Sequence, residues 1–317
     1  MEDYVRGAFW GAAVGDALGG PLEYMSGEEI RARYGRVTEM LGGGWLELQP
    51  GEYTDDTQMM LMVAEGILSN PAYPVEEIGN RFLRWYYRGP KDIGKTTARS
   101  FENYLRCRNW QEAARITARS LNKLDSNGGL MRTLPVTFAY WHNLPNMAYW
   151  SKEIAGMTHF SQEGAACCIF YNYLVGVAVQ NKSSKRELFT RALEFTDKQC
   201  HQLNVNPANF FWYVVRAVQP GAAEIIPQGK ALDTLGAALQ CFLNTDDFAE
   251  AVVSVINRGG DADTAGNITG GLAGAYYGYK AIPTRWIDAL QDKERLARVA
   301  DAFGEIFNAH RQGQQPG

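Results

Sequence analysis

Apolar residues recur at helical spacing along almost the whole chain, and this periodicity restricts the fold more than any other feature. Phe248, Ala251, Val252, Val255 and Ile256 stand at i, i+3, i+4, i+7 and i+8, which gathers them into one stripe of a helix. Similar spacing predicts helices over residues 4–18, 56–68, 75–87, 96–107, 111–121, 164–179, 184–195, 207–218 and 263–277. No alternating pattern flanks an Asn-Gly or Asp-Gly turn; Asn127-Gly128 leads instead into the helical pattern of Leu130, Met131 and Leu134. The chain is expected to be all-α. Breaks at Gly42-Gly43-Gly44, Pro71 and Pro74, Gly89-Pro90, residues 143–145 and residues 219–221 are too short to link separate domains. Residues 1–311 therefore read as one multi-helix domain, followed by a disordered tail over 312–317.

Composition narrows the function classes. The 317 residues carry a net charge of -4, and the 31 basic residues form no long block, which argues against a nucleic-acid surface. Five cysteines, an odd number without a C-x-x-C pair, read as reduced thiols of a cytoplasmic protein. No apolar run approaches the roughly 18 residues of a membrane span. Glu2 and Asp3 follow Met1 where a leader would be basic, so an unprocessed, soluble chain is expected.

Two predicted helix starts are unusually acidic. In Thr54-Asp55-Asp56-Thr57-Gln58, Asp55 is a candidate N-cap and Gln58 a candidate partner in a capping box. That reading needs no function. A second start, residues 257–271, places Asp261, Asp263 and Thr264 between a double glycine and a helix that contains Gly266, Gly270, Gly271 and Gly274. Each glycine inside a helix costs roughly 1 kcal/mol relative to alanine, so close backbone packing or a ligand must compensate. Asp261 and Asp263 converge only if the first lies outside the helix, which the preceding glycines permit. Asp55, Asp56, Asp261 and Asp263, with a threonine hydroxyl at each start, then form an oxygen-only donor set suited to Mg²⁺ or Mn²⁺ rather than zinc. Four carboxylates suit two divalent cations better than one.

Three stretches, GAAVGDALGGPLEYM, GGGWLELQPGEYTDDTQM and NRGGDADTAG with its following GGLAGAYYG, together resemble the ADP-ribosylglycohydrolase family over residues 6–286, most closely its bacterial dinitrogenase reductase-activating branch. The resemblance implies an all-α fold with a binuclear Mg²⁺ or Mn²⁺ centre at helix N-termini. The implied reaction cleaves the N-glycosidic bond joining ADP-ribose to a protein side chain, usually arginine. It implies Thr54, Asp55, Asp56, Asp261, Asp263 and Thr264 as metal ligands, and Glu23 and Asp92 as catalytic acids. It further implies Asn127, Gly128, Met131 and His159 at the ADP-ribose, with the helix start after Asn127-Gly128 as a diphosphate site. The branch implies nitrogenase iron protein as the modified substrate and a PII-type signalling protein as a partner, and neither leaves a motif here.

Plainer readings stand beside these. Glu23 could be a solvated loop acid, Asp92 a cap for the helix near Thr96, His159 a structural histidine and Asn127 a turn residue. Lys230 replaces a tyrosine that the branch carries at the substrate rim. Phe210, Phe211, Trp212 and Tyr213 read as core packing. GPKDIGKT, residues 89–96, fits the phosphate-loop pattern, yet helical spacing precedes it where a strand is required. A non-catalytic ADP-ribose-binding module, or a hydrolase of another ADP-ribose adduct such as a serine linkage or small metabolite, is the alternative function.

Overall fold

Helix α1 (Glu2–Gly19) and helix α14 (Ala262–Tyr277) lie against each other with their backbones in contact. A Cβ added to Gly15 would fall 1.9 Å from the Gly266 carbonyl oxygen, and one at Gly11 would fall 2.2 Å from that of Gly270. The reverse test gives 2.2 Å for Gly266 against Gly15 and 2.0 Å for Gly270 against Gly11. Glycines four apart share one helix face, so both helices present a strip with no side chains. What approaches Gly266, Gly270 and Gly274 is thus another helix, while Gly271 faces the Tyr171 hydroxyl. Numbers rise along α1 as they fall along α14, so the pair is antiparallel and the C-terminal end of α1 meets the N-terminal end of α14.

That pairing builds the site. Beyond Gly19 a 3₁₀ turn, Gly20–Leu22, delivers Glu23 beside the start of α14. The chain enters α14 through Gly259 and Gly260, whose φ of 73° and 70° explain the double glycine. Gly260 and the outgoing segment are tied by Tyr24 N–H to Gly260 O at 2.8 Å and Gly260 N–H to Met25 O at 2.7 Å.

The computed structural model describes residues 1–121, 125–180 and 183–312. Helices α2 (Gly27–Tyr34), α3 (Asp55–Ser69), α4 (Pro74–Tyr87), α5 (Lys95–Cys107) and α6 (Trp110–Leu121) follow α1. Next come α7 (Leu134–Tyr140), α8 (Leu144–Gly156), α9 (Gln162–Gln180), α10 (Lys185–Gln202), α11 (Phe210–Ala217), α12 (Ala231–Leu243) and α13 (Phe248–Ile256). After α14 come α15 (Thr284–Ala289) and α16 (Lys293–Gln312). Among the described residues there is no strand, only isolated bridges such as Ser26 with Gly259 and Ser126 with Lys230. The all-α expectation holds.

Several expectations change. Helices α2, α8, α12 and α16 carry no prediction from periodicity. The break expected at residues 143–145 is the start of α8, where Asn143 caps and Pro145 occupies the first turn, the one helical place that tolerates its missing N–H. The aromatic run divides: Phe210 is buried, but Trp212 is 63% exposed, with Arg216 over its ring. Of the expected tail, Gln312 closes α16, and residues 313–317 lie outside the described residues. All five cysteines are free thiols. Among the described residues no helix is long and apolar enough to cross a membrane.

Candidate active site

The N-terminus of α3 is capped differently from the sequence expectation. Thr54, not Asp55, is the N-cap residue, and Gln58 is drawn away to accept from the Trp85 indole at 2.7 Å. The cap comes from another helix. Asp16 of α1, wholly buried, accepts from Thr54 N and Oγ1 at 3.0 and 2.9 Å, and from Thr57 N and Oγ1 at 3.0 and 2.6 Å. Because Asp16 satisfies those N–H groups, Asp55 and Asp56 are not needed as caps, and both line the cavity instead.

At α14 the expected geometry is present. Asp261 is the N-cap residue, with φ -86° and ψ 70°, outside the helix, and Asp263 lies one turn-step inside it. Asn127 reaches across to donate from Nδ2 to Asp261 Oδ2 at 2.6 Å and to Thr234 Oγ1 at 2.9 Å. Asn127 is therefore more than a turn residue, and its amide is occupied in holding an acid. Glu23 is buried, not a solvated loop acid, and Asp92 does not cap α5, whose N-cap is Gly94. Glu23, Asp92 and Asp263 each offer an oxygen within 4.8 Å of the others.

Glu23, Asp55, Asp56, Asp92, Asp261 and Asp263 line one cavity of about 990 Å³, at the top of the roughly 300–1,000 Å³ range of small-molecule sites. Asn127, Gly128, Met131 and His159 line it too. The segment Asn127–Arg132 is a short 3₁₀ helix, not the first turn of an α-helix, so no α-helical N-terminus faces the cavity there. His159 is held through Nδ1 by Thr158 Oγ1 at 2.7 Å, and its ring lies so close to Gly128 that a Cβ there would fall 2.7 Å from Cε1. Lys230 is exposed and its backbone pairs with Ser126; Gln228 and Gly229, not Lys230, line the cavity. The rim departure inferred at Lys230 thus lies outside it. Residues 89–96 join α4 to α5 with no strand before them, which removes the phosphate-loop reading.

Two functional residues escape sequence reasoning besides Asp16. Arg132, wholly buried, donates to Gly128 O at 2.8 Å, Ile154 O at 3.1 Å and Thr158 Oγ1 at 2.7 Å, so one guanidinium fixes both Gly128 and the His159 segment. Burial pulls its pKa down to about 10. Trp45 donates its indole N–H to Glu23 Oε2 at 2.6 Å.

Electrostatics state what the cluster lacks. Burial, and then the neighbouring carboxylates, push Asp55, Asp56 and Asp263 well above the ordinary carboxylate range. Burial raises Glu23 to about 7 and Asp16 to about 6, the latter opposed by its threonine partners. Asp56 Oδ1 and Asp263 Oδ1 are buried with no hydrogen-bond partner. Carboxylate oxygens so placed call for protons or cations, and an all-oxygen donor set fits hard divalent cations. The residues present fit such a group.

An all-helical scaffold that buries an acid cluster in a cavity of small-molecule size suits a metal-dependent hydrolase. The profile of the ADP-ribosylglycohydrolase family matches residues 1–315, and the chain belongs to this family of glycohydrolases. It is similar to the ADP-ribosylarginine hydrolase Tri1 of Serratia proteamaculans, 30% identical over 306 residues covering 94% of this chain and 78% of the relative. It is also similar to the ADP-ribosyl-[dinitrogen reductase] glycohydrolase of Rhodospirillum rubrum, 31% identical over 305 residues and 96% of each chain. Among solved structures, an ADP-ribosylglycohydrolase-related protein complex matches with a TM-score of 0.77 and 32% identity, covering 96% of this chain and 98% of that one.

Proposed function

We propose that the protein removes ADP-ribose from a modified arginine side chain of another protein. The observation that carries this reading is the buried acid cluster, with its two unpartnered carboxylate oxygens, in the same cavity that Gly128 and His159 line. The name of the Serratia proteamaculans relative, an arginine hydrolase, favours arginine over other linkages. A nitrogenase iron protein substrate follows from the name of the Rhodospirillum rubrum relative alone, and a PII-type partner has no support in either name.

In this reading Thr54, Asp55, Asp56, Asp261, Asp263 and Thr264 hold two divalent cations, Mg²⁺ or Mn²⁺. The chemistry such ions supply is Lewis acidity and activation of water at neutral pH. Asn127 fixes Asp261, and Asp16 fixes Thr54, so the donors are oriented before substrate arrives. Gly128, Met131 and His159 bind the ADP-ribose, with Arg132 keeping Gly128 and His159 in place. The C1′–N bond to the guanidine breaks as a C1′–O bond to water forms, and the surrounding carboxylates stabilise positive charge developing on the ribose. Glu23 and Asp92 take the proton lost by the water and return one to the departing guanidine.

Release of free ADP-ribose from an ADP-ribosyl-arginine protein, followed by mass spectrometry with Mn²⁺ and with chelator, tests the proposal. Serine-linked peptides run in parallel. Mn²⁺-dependent release from arginine is expected, and faster release from serine, or none from either, overturns it.

A further inference from the structure

We propose that Trp45 is a positioning residue, whose indole N–H holds the Glu23 carboxylate in the orientation that faces Asp92 and Asp263. The inference rests on the proton-handling role given to Glu23 above. Trp45 Nε1 donates to Glu23 Oε2 at 2.6 Å. An indole has one donor and no acceptor, so this contact uses its whole hydrogen-bonding capacity.

Burial does not explain Trp45. The residue is 51% exposed, and the ring it packs against, Tyr24 at 5.4 Å between centroids, is 72% exposed. Tryptophan ordinarily contributes through buried area, and here about half of that contribution is left in water. What the surrounding chain does provide is placement. Gly43 and Leu48 exchange two backbone hydrogen bonds, at 2.6 and 2.9 Å, closing a short loop with Trp45 inside it. Buried Leu48 anchors that loop to the core. Gly44, at φ 72°, comes so close to Pro21 that a Cβ would fall 2.8 Å from its Cα and carbonyl oxygen. Pro21 lies two residues before Glu23, so the loop that carries the donor is packed on the segment that carries the acceptor.

A glutamate has three side-chain torsions, and an untethered one spends little time in any single reactive geometry. The Trp45 bond restricts that freedom, a task it shares with the Tyr24 hydroxyl, which also bonds Glu23. Trp45 itself also lines the cavity, so the test must remove the donor and keep the ring.

The test uses the full chain, with Mn²⁺ for steady-state kinetics on ADP-ribosyl-arginine and diamagnetic Mg²⁺ for indole ¹⁵N–¹H spectra, in which Trp45 is the one of eight tryptophan signals lost in Trp45→Phe. Phenylalanine keeps a ring and removes the donor. Trp45→Phe is expected to lower kcat about 10- to 100-fold with KM and melting temperature unchanged. The Trp45 indole signal is expected to move upfield in Glu23→Gln, a change that packing alone would not produce. Wild-type kcat in Trp45→Phe beside an inactive Glu23→Gln overturns the positioning role while leaving the role of Glu23 intact. An indole signal indifferent to Glu23→Gln overturns it too, whatever the turnover. Wild-type kcat in Glu23→Gln instead overturns the reading on which the inference rests.

Discussion

Asp16 is the one ionisable residue in the C-terminal half of α1, and it makes four bonds to Thr54 and Thr57. Asp16→Asn keeps one accepting oxygen but turns an amide against the N–H and O–H groups on the other side. A buried polar clash of this kind costs about 1–3 kcal/mol. Urea unfolding of the chelated protein should show that loss, and a Mn²⁺ titration should show weaker binding, because Thr54 is no longer fixed. Unchanged affinity would remove Asp16 from the organisation of the site. Asn127 makes a second case: Asn127→Ala should raise the Mn²⁺ concentration needed for half-maximal activity more than it raises KM, since its amide holds Asp261. A rise in KM alone would return it to the role of a substrate contact. Asp55, Asp56, Asp261 and Asp263 are legible in the sequence because they stand in pairs beside helix starts, whereas Glu23 and Asp92 are reached only through the family resemblance. Asp16, Arg132 and Trp45 are reached by neither route, since each acts on atoms that only the fold brings near; the partners of Asp16 lie 38 and 41 residues away.

At the scale of elements, the contact of α1 with α14 decides where the acids meet. The sequence shows glycines in α14 that need a close neighbour, but it does not say whether the neighbour is a helix or a ligand. The answering glycines, Gly7, Gly11 and Gly15, lie some 250 residues earlier, and only the antiparallel pairing matches them. A methyl group at Gly15 or Gly266 would strike a backbone carbonyl, which no rotamer change relieves. Gly15→Ala and Gly266→Ala should each cost about 3 kcal/mol or more by forcing the helices apart, and activity should fall with stability because the shift separates Glu23 from Asp263. Gly156→Ala is the control. Gly156 closes α8 with nothing within 4 Å of an added Cβ, so the same change there should stabilise by about 0.5–1 kcal/mol. Thermal melts of the three variants check both signs. Helices α2, α8, α12 and α16 were less legible for a related reason. Periodicity marks a helix strongly only when its apolar face is regular, and α2 buries just Ile30.

For the molecule as a whole, enclosing this many acids is a cost that depends on pH and on cations. Glu23 rises from 4.5 to about 7 and Asp16 from 3.8 to about 6, mainly through burial, and Asp55, Asp56 and Asp263 rise as well. Between the unfolded and folded values the native state binds more protons than the unfolded chain, so stability falls as pH rises through that interval. The chelated protein should therefore be less stable near pH 8 than near pH 5.5. The surface also titrates, so the cluster's share is read from the Asp55→Asn, Asp263→Asn double variant, in which the decline should flatten. Cations compete with those protons, and their binding strengthens as the acids ionise. At a free concentration of 100 times Kd they add roughly 2.7 kcal/mol, so Mn²⁺ should stabilise the protein more at the higher pH and offset the loss seen with chelator. Denaturation midpoints at both pH values, with chelator and with Mn²⁺, give the four numbers required. A wild-type decline as shallow as that of the double variant, or a Mn²⁺ effect that does not grow with pH, would mean that the cluster is not the seat of the cations.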